Sequence, residues 1–476
     1  MLGVLISLAG QGAARAQAQA RSSGPAPLLT GLSGLPSAEP LVFQRIAAAG
    51  ARFVRIDVAW GKIAPARQPD SWAPTDPADP NYNWSGLDPY VIGAVGAGLT
   101  PVLTVVGAPS WAQVCSTAPL CDPAPAMFAA FATAAAIRYS GHFEGLPRVR
   151  YWQALNEPNL SLFFNPQLEA GNPVSPTLYR ALVNAFYFAV KSVERSDLVL
   201  AAGLGPIANP PYTIGPMLFT RLLLCMQGAR HPHPIPGDCE GGVHFDIFDI
   251  HPYTTGGPKH AGGAENVELG SLGRLQRLLA AADRAGRIHG RFKQTPLWIT
   301  EFSWDSKPPD PGGLPMSILA RWTSEALYDS WRIGVTHFFW FSLRDNPTNG
   351  QSFAETVQSG LYLRGPSLAE DRPKQRLIEA FRFPLVAYRR KGGVFFWGRT
   401  PNSLGGEITI QLHVGGRWRS VGLLRAAPNG IFSGSVRGGE PSDRRGAVRA
   451  RFRGETTIPF SLQPVKEFLQ PPFGKP

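Results

Sequence analysis

Eight short apolar segments alternate with longer segments of helical spacing, and this alternation constrains the fold more than any other feature of the chain. The strand-like segments are residues 27–34, 52–58, 101–106, 149–155, 198–203, 245–250, 297–300 and 336–342. Apolar spacing predicts helices at 40–50, 87–99, 124–140, 175–195, 271–287, 316–333 and 374–381. Strands that alternate with helices favour a parallel sheet, and eight strands with seven predicted helices predict an α/β fold, a (β/α)8 TIM barrel spanning residues 27–384.

An open, doubly wound parallel sheet is the competing fold. It would favour a glycine-rich phosphate-binding turn after the first strand, and no GxGxxG follows that strand. The predicted barrel is longer than the typical ~250 residues, and the surplus lies in loops at 61–86, 107–123, 206–242 and 254–270. We expect these loops to shape a cleft at the C-terminal end of the barrel.

The pattern of predicted secondary structure changes after residue 384. Six short strand patterns separated by Gly, Asn and Pro predict a small all-β sandwich over residues 385–476. This segment carries 15 Lys or Arg and five Asp or Glu, which is +10 of the chain's formal charge of +12. Such a surface could bind an acidic polymer or the cell envelope, or it could be a solvated Arg-rich sheet. No nucleic-acid-binding motif is present, and we expect the sandwich to be an accessory domain that the barrel does not need.

The N-terminal segment and the cysteines point to export. Residues 1–20 combine a short apolar run with an Ala-x-Ala site, which is typical of a secretory signal peptide, although the usual basic start is missing. Cys115 and Cys121 lie close together in one loop, and Cys225 and Cys239 flank another. Two local disulfides fit an exported protein, whereas zinc ligation does not match these spacings. No further stretch is long and apolar enough to predict a transmembrane segment.

Two glutamates follow predicted barrel strands at the end where such barrels carry their active sites. The fourth strand runs into Asn156-Glu157-Pro158, and the seventh runs into Thr300-Glu301. A pair of carboxyl groups across one cleft can cleave a glycosidic bond, because one protonates the departing oxygen and the other attacks the anomeric carbon. The spacing in sequence is large, but the fourth and seventh strands of a barrel can face the same cleft.

These motifs resemble clan A glycoside hydrolases, the "4/7" barrels. The run of residues 156–160, Asn-Glu-Pro-Asn-Leu, is most similar to family 39, and family 5 is the next most similar. The resemblance covers residues 27–384. It implies a retaining mechanism in which Glu157 is the general acid/base and Glu301 is the nucleophile.

The resemblance also implies supporting residues. Asn156 would bind the sugar 2-hydroxyl, and Arg55 on the second strand would keep the nucleophile ionised. His251 and Tyr253, after the sixth strand, resemble the clan pair beside the nucleophile. Trp340 on the eighth strand resembles the platform beneath the reacting sugar. Each of these residues also has a purely structural alternative. Arg55 could form a simple ion pair in the barrel wall, the His/Tyr pair could pack in a loop corner, and Trp340 could belong to the core.

Three more tryptophans are candidates for stacking on further sugars. Trp60 and Trp111 follow the second and third strands, and Trp304 follows the seventh. Most tryptophans are packed in the core, so a structural role is the alternative for each. Nothing in the sequence suggests a cofactor or a metal ion in the catalytic step.

The sequence therefore predicts a secreted retaining glycoside hydrolase that cleaves β-glycosidic bonds of a polysaccharide or oligosaccharide. Two alternatives stay open: a non-catalytic glycan-binding or envelope-associated protein on a decayed barrel, and a transglycosylase. The sugar, the linkage, endo or exo action and the oligomeric state do not follow from the sequence.

Overall fold

Eight parallel strands close into a barrel in the computed structural model, which describes residues 25–114, 122–237, 242–437, 446–465 and 468–469. The strands are β1 (Leu29–Ser33), β2 (Phe53–Ala59), β3 (Thr100–Val106), β4 (Tyr151–Ala154), β5 (Leu198–Leu204), β6 (Ile247–Ile250), β7 (Leu297–Ile299) and β8 (His337–Phe341). They pair in the order β1-β8-β7-β6-β5-β4-β3-β2. The predicted (β/α)8 fold is confirmed.

Helices connect the strands. They are α1 (Pro40–Ala48), α2 (Trp60–Ile63), α3 (Asp88–Gly96), α4 (Pro125–Arg138), α5 (Ser175–Val193), α6 (Pro216–Leu223), α7 (Leu272–Arg284), α8 (Met316–Arg332) and α9 (Gln375–Arg382). The sequence analysis placed α6 in a loop. Its proline stands at the first helical position, where the missing N–H costs nothing, so the residue starts the helix instead of breaking it.

Short ribbons and single turns fill the long loops. The ribbons pair Leu168–Glu169 with Asn172–Pro173, Met226–Gln227 with His233–Pro234, Val243–His244 with Ile288–His289, Ser306–Lys307 with Leu314–Pro315, and Tyr362–Leu363 with Arg372–Pro373. The 3-10 turns are Ser110–Ala112, Leu269–Ser271, Phe353–Glu355 and Pro401–Ser403.

The lower part of the barrel interior is an apolar plug. Its buried members come from alternating positions of the strands and are Phe53, Val102, Leu198, Leu200, Ile247, Trp298 and Phe339. Polar side chains replace these residues one layer higher, toward the C-terminal ends of the strands. The plug therefore closes the barrel from below and leaves one open end for a site.

Two antiparallel sheets follow the barrel. One contains β9 (Leu385–Arg390), β10 (Gly393–Arg399) and β13 (Ile431–Val436). The other contains β11 (Gly406–Val414), β12 (Arg417–Ala426), β14 (Ala447–Phe452) and the short β15 (Glu455–Thr456) and β16 (Phe460–Ser461). α9 ends and β9 begins on either side of residue 384, where the sequence predicts the domain boundary.

The sandwich packs tightly against the barrel. Buried apolar residues of both parts form one continuous cluster, in which Trp397 lies 5.3 Å from Tyr328 of α8 between ring centroids. The buried Arg399 donates to the Leu28 carbonyl and to Thr30 Oγ1, both at the lower end of the barrel, at 3.0 Å. These contacts argue against the expectation that the barrel does not need the sandwich.

Several predictions fall on residues that the structure does not describe. The proposed signal peptide at 1–20 lies outside the described residues, and so do Cys115, Cys121 and Cys239. Cys225 is described, and no described cysteine is a free thiol. The two disulfide pairings stay predictions. Among the described residues, no helix combines the length and the apolar character needed to span a membrane.

Candidate active site

Glu157 stands on a sharply turned segment just beyond β4. Leu155 and Glu157 have left-handed backbone conformations, with φ of 66° and 43°. The Glu157 N–H donates to the Gly203 carbonyl at 3.2 Å, which ties the turn to the end of β5. Such backbone conformations in residues other than glycine cost free energy and cluster at functional sites. The turn holds the Glu157 side chain over the barrel mouth, where 13% of it is exposed.

Glu301 follows β7 and is held at both oxygens. Arg55 Nη1 donates to Oε1 at 2.6 Å, and the Tyr253 hydroxyl donates to Oε2 at 3.0 Å. The glutamate side chain is 13% exposed, against 3% for the arginine. The structure thus brings Arg55 and Tyr253 to the predicted nucleophile.

One imidazole lies between the two glutamates. His251 Nδ1 is 2.9 Å from Glu157 Oε1 and 3.8 Å from Glu301 Oε2. These two oxygens are therefore at most about 6.7 Å apart, the largest separation that both distances allow. Residues far apart in sequence meet within a gap that one sugar ring can fill.

The environment of Glu157 favours its protonated form. Burial raises the pKa of Glu157 to about 7, and the positive charge of Arg55 only partly opposes this. A carboxyl group with this pKa keeps its proton through much of the neutral range, which suits a general acid.

Glu301 has a different set of neighbours. Burial raises its pKa too, but the positive charge of Arg55 opposes the rise, and two donors already occupy its oxygens. Burial alone would lower the pKa of Arg55, yet the surrounding carboxylates, Glu301 first, raise it, so the guanidinium stays cationic. The hydrogen-bonded cation stabilises the ionised form of Glu301 that a nucleophile needs.

His251 is neutral in this setting. Its side chain is fully buried, and burial lowers its pKa to about 4. The second ring nitrogen, Nε2, lies 3.0 Å from Thr300 Oγ1. The imidazole therefore acts as a hydrogen-bonding partner of Glu157 and not as a counter-charge.

Asn156 is oriented by the same arginine. Arg55 Nη2 donates to Asn156 Oδ1 at 2.6 Å, so the amide nitrogen is the group left to face a ligand. An amide N–H next to the acid/base fits the predicted bond to a sugar hydroxyl, which itself stays a prediction.

A second layer of polar residues lies beneath the glutamates, and the sequence analysis missed it. Arg55 Nε and Thr104 Oγ1 both donate to Gln153 Oε1, and Gln153 Nε2 donates to Asp249 Oδ2, each at 2.6 Å. Thr300 Oγ1 lies 2.6 Å from the same Asp249 oxygen. The signal was available, because a Gln or Asp inside an otherwise apolar barrel strand must find a partner when buried.

Three of the four tryptophan candidates are packed away from the cleft. Trp340 is fully buried against Phe381, and its indole N–H donates to the Ser359 carbonyl at 2.7 Å. Trp60 is 1% exposed and stacks on Phe131. Both predictions of a sugar contact are wrong, because the Trp340 ring packs from β8, and the Trp60 ring from α2, into the helix layer.

Trp304 is likewise core, 3% exposed, with its indole N–H donating to the Gly256 carbonyl at 3.0 Å. Trp111 differs. It is half-buried on the loop after β3, donates to the Pro65 carbonyl at 2.8 Å and packs edge-on against Trp72. Trp111 alone of the four keeps a partly exposed ring, so its predicted sugar contact stays open.

Phe341 is the aromatic residue of β8 that reaches the open end of the barrel. Side chains alternate along the strand, and Phe339 belongs to the apolar plug, so Phe341 points the same way one layer higher. Its ring is half-buried and passes close to Gly34. The sequence analysis assigned the wrong set of alternating side chains, that of Trp340, to the barrel interior. Both faces of this strand are apolar because helices cover the outside of the barrel.

A cavity of about 500 Å³ adjoins the glutamates on the β1–β2 side and shares Arg55 with them. Its polar lining includes Asp57, Lys62, Asn83 and Tyr90. The Asp57 side chain is 65% exposed. The volume lies in the range of small-molecule sites. Among the described residues, no group of three or more His, Cys, Asp or Glu could hold a metal ion.

Known proteins with similar structures are glycosidases. A glucosidase from Croceicoccus marinus has a TM-score of 0.50 at 12% identity, covering 87% of this chain and 94% of its own. A monomeric β-xylosidase from Caulobacter crescentus has a TM-score of 0.50 at 13% identity, covering 87% and 95%. No family model and no curated protein matches the sequence. The chain has the barrel fold of these glycosidases.

Proposed function

We propose that the chain is a retaining β-glycosidase, with Glu157 as general acid/base and Glu301 as nucleophile, acting on a polysaccharide or oligosaccharide. The observation that carries the proposal is the pair of largely buried carboxyl groups that both lie within 4 Å of His251 Nδ1. The upper limit of about 6.7 Å between Glu157 Oε1 and Glu301 Oε2 leaves room for the separation of about 5–5.5 Å between carboxyl groups that double displacement requires.

The two environments match the two roles. Glu157, with its pKa raised by burial, holds a proton for the departing oxygen. Glu301, bonded to Arg55 and Tyr253, would attack the anomeric carbon and form the glycosyl-enzyme. Glu157, now ionised, would then take a proton from the water that releases the sugar.

The test is digestion of a panel of β-glycans and aryl β-glycosides, with the anomer of the first product followed by NMR. The proposal expects cleavage of at least one substrate with retention of configuration. An inverted product would overturn the mechanism. Glu301→Gln should abolish turnover of the natural substrate and Glu157→Gln should strongly reduce it, whereas Glu407→Gln, an exposed site on β11, serves as the matched control. Oligosaccharide products longer than the substrate would identify a transglycosylase.

We also propose that the protein is exported. The N-terminal sequence and the paired cysteine spacing support this. Expression from the native start in a bacterial host, followed by fractionation and N-terminal sequencing, tests it. Recovery of an uncleaved chain in the cytoplasm would contradict it.

An acidic polymer or envelope remains the proposed partner of the sandwich. Its support is β12, an edge strand with exposed Arg417, Arg419 and Arg425. Changing the three to Gln should abolish co-sedimentation with anionic polysaccharide at low salt, and unchanged binding would exclude this surface.

A further inference from the structure

A line of hydrogen bonds leads from Glu157 to a buried second carboxyl group. Glu157 Oε1 contacts His251 Nδ1 at 2.9 Å, and His251 Nε2 contacts Thr300 Oγ1 at 3.0 Å. Thr300 Oγ1 contacts Asp249 Oδ2 at 2.6 Å. His251, Thr300 and Asp249 are fully buried. The line therefore joins the two acids without passing through solvent.

The far end of this line has a fixed polarity. Arg55 can only donate, so Gln153 must turn its oxygen toward Arg55 and its amide nitrogen toward Asp249 Oδ2. The other carboxyl oxygen, Asp249 Oδ1, is buried and has no partner at hydrogen-bonding geometry among the described residues, and the nearby Gly203 N–H only partly offsets the cost of ionising this carboxyl group. An ionised carboxylate with one unpaired oxygen is costly in such a place. Burial accordingly raises the pKa of Asp249 to about 7.

The line allows two complete hydrogen-bond arrangements. When Asp249 is ionised, Thr300 donates to it, His251 donates from Nε2 to Thr300, and Nδ1 accepts the proton of Glu157. When Asp249 is protonated, it donates to Thr300, Thr300 donates to Nε2, and Nδ1–H donates to Glu157 Oε1. The tautomer of His251 differs between the two.

We propose that Asp249 is a positioning residue that exchanges a proton with Glu157 through His251 and Thr300. In the exchange Glu157 gives its proton to Nδ1, Nε2 gives its proton to Thr300, and Thr300 gives its hydroxyl proton to Asp249. One proton leaves Glu157 and one arrives at Asp249, so His251 and Thr300 stay neutral and no other reactant is needed.

This inference rests on the proposed function, in which Glu157 must be an acid in the first step and a base in the second. With Asp249 protonated, Nδ1–H donates to ionised Glu157 and stabilises it after the proton has left for the sugar oxygen. With Asp249 ionised, the same Glu157 oxygen would face the lone pair of His251 Nδ1 and would receive no hydrogen bond from it. Asp249 thereby keeps Glu157 hydrogen-bonded in both of its roles.

Other charged or titratable groups also act on this line. They are Arg55 and Asp57 on β2, Tyr179 on α5, and Glu301 after β7. Arg55 and Glu301 act on Asp249 with opposite sign. These groups shift the titration but offer no second hydrogen-bonded route from Asp249 to Glu157 among the described residues.

The experiment reads the His251 tautomer by ¹⁵N NMR of histidine-labelled full-length protein, without substrate. In a Glu157→Gln background, whose amide can either donate to Nδ1 or accept from it, the tautomer should change from Nδ1–H to Nε2–H as the pH rises through about 7 and Asp249 loses its proton. Asp249→Asn should hold Nε2–H at every pH, because the amide oxygen must accept from Gln153 and so also from Thr300. A tautomer that does not change with pH in the Glu157→Gln background would overturn the proposal.

A second pair of variants, at Thr300, tests the same line in case Asp249→Asn does not fold. Thr300→Val should remove the pH response of the tautomer, and Thr300→Ser should restore it. Thr323→Val is the matched control, since Thr323 is an equally buried threonine of α8 whose hydroxyl donates to the Leu319 carbonyl, away from the line. Loss of the response in Thr323→Val, or its persistence in Thr300→Val, would also contradict the relay.

Kinetics separates the relay from the glycosidase itself. With an activated aryl glycoside, Asp249→Asn should lower kcat and KM together by about 10- to 100-fold and leave kcat/KM nearly unchanged, because the second step slows. Equal loss of kcat and kcat/KM would contradict the assigned role. If neither the wild type nor any variant turned over a substrate while the NMR response was intact, the proposed function would be wrong. The proposed proton exchange between Asp249 and Glu157 would still hold.

Discussion

The interior of the barrel is built differently at its two ends, and two buried histidines show the difference. At the lower end His337 stacks on Trp298 at 3.6 Å between centroids, and its Nε2 has no partner among the described residues. At the upper end both ring nitrogens of His251 are hydrogen-bonded. Burial lowers the pKa of both, to about 3 and about 4.

The comparison teaches that burial alone does not mark a functional histidine. His337 fills space in a plug of rings, where an unpaired nitrogen is tolerated. His251 connects two acids at distances that leave little freedom, and every polar contact beneath it reaches another polar side chain. Preorganised hydrogen bonds of this kind are what a catalytic centre needs.

The largest expected effect concerns the lower end. Deleting residues 385–476 should leave the barrel insoluble or unfolded at 25 °C, since it exposes the apolar face around Tyr328 and removes the Arg399 bonds at β1. Circular dichroism and thermal unfolding check this. The full-length chain with Arg417, Arg419 and Arg425 changed to Gln should unfold like the wild type. A truncated chain with full stability and activity would make the sandwich dispensable.

At the upper end, Glu157→Gln should reduce kcat/KM for substrates with poor leaving groups by about 10²–10⁴-fold. The wild-type rate should fall as the pH rises past about 7, because Glu157 then loses its proton, and this basic limb should vanish in the variant. The measurement is kcat/KM against pH for two leaving groups. An unchanged basic limb in Glu157→Gln would assign that ionisation to another group.

The two histidines give a matched pair of variants. His251→Phe should lower kcat/KM by about 100-fold, the cost of misplacing a catalytic group. His337→Phe should leave kcat/KM within about threefold of wild type, since it keeps the ring stacking. Equal losses in both would remove the functional distinction between the two ends.

The same pair sharpens the comparison at low pH. Free histidine takes up a proton near pH 6.5, but native His337 does so only near pH 3, so the wild type loses stability as the pH falls through this window. His337→Phe should remove about 2 kcal/mol of that loss between pH 6.5 and 5, as read by urea unfolding. An identical pH dependence would show that His337 does not stay neutral in the folded state.

The smallest effect expected concerns β8. Phe341→Ala should raise KM about tenfold with little change in thermal stability, because its ring lies at the open end. Trp340→Phe should leave KM unchanged and destabilise the fold by about 1–3 kcal/mol through the lost bond to Ser359. A raised KM in Trp340→Phe together with an unchanged KM in Phe341→Ala would show that Trp340, and not Phe341, contacts the sugar.

The sequence analysis predicted the barrel and the two glutamates because both depend on local patterns. Apolar alternation identified the eight strands, and strand ends located Glu157 and Glu301. It failed where a side chain's direction mattered. The five large residues in a row from His337 to Phe341 do not show which side chains face the barrel interior. Helices bury one face of this strand and the apolar plug buries the other.

The buried polar layer was missed for a related reason. Gln153 and Asp249 lie inside strands, far from the motif that drew attention to the strand ends, and their partners come from other strands. Only the closed barrel brings Arg55, Gln153 and Asp249 within hydrogen-bond reach. Tertiary pairing of this kind has no local spacing to detect.

The most direct test of the central claim is to trap the covalent intermediate. Incubation with a set of 2-deoxy-2-fluoro β-glycosides that differ in sugar should inactivate the enzyme and add one sugar mass, which peptide mapping should place on Glu301. Glu301→Gln should gain no mass, and Glu157→Gln should still be labelled by a reagent with an activated leaving group. A sugar attached to any other residue, or rapid turnover without a trapped species for every reagent, would contradict the account.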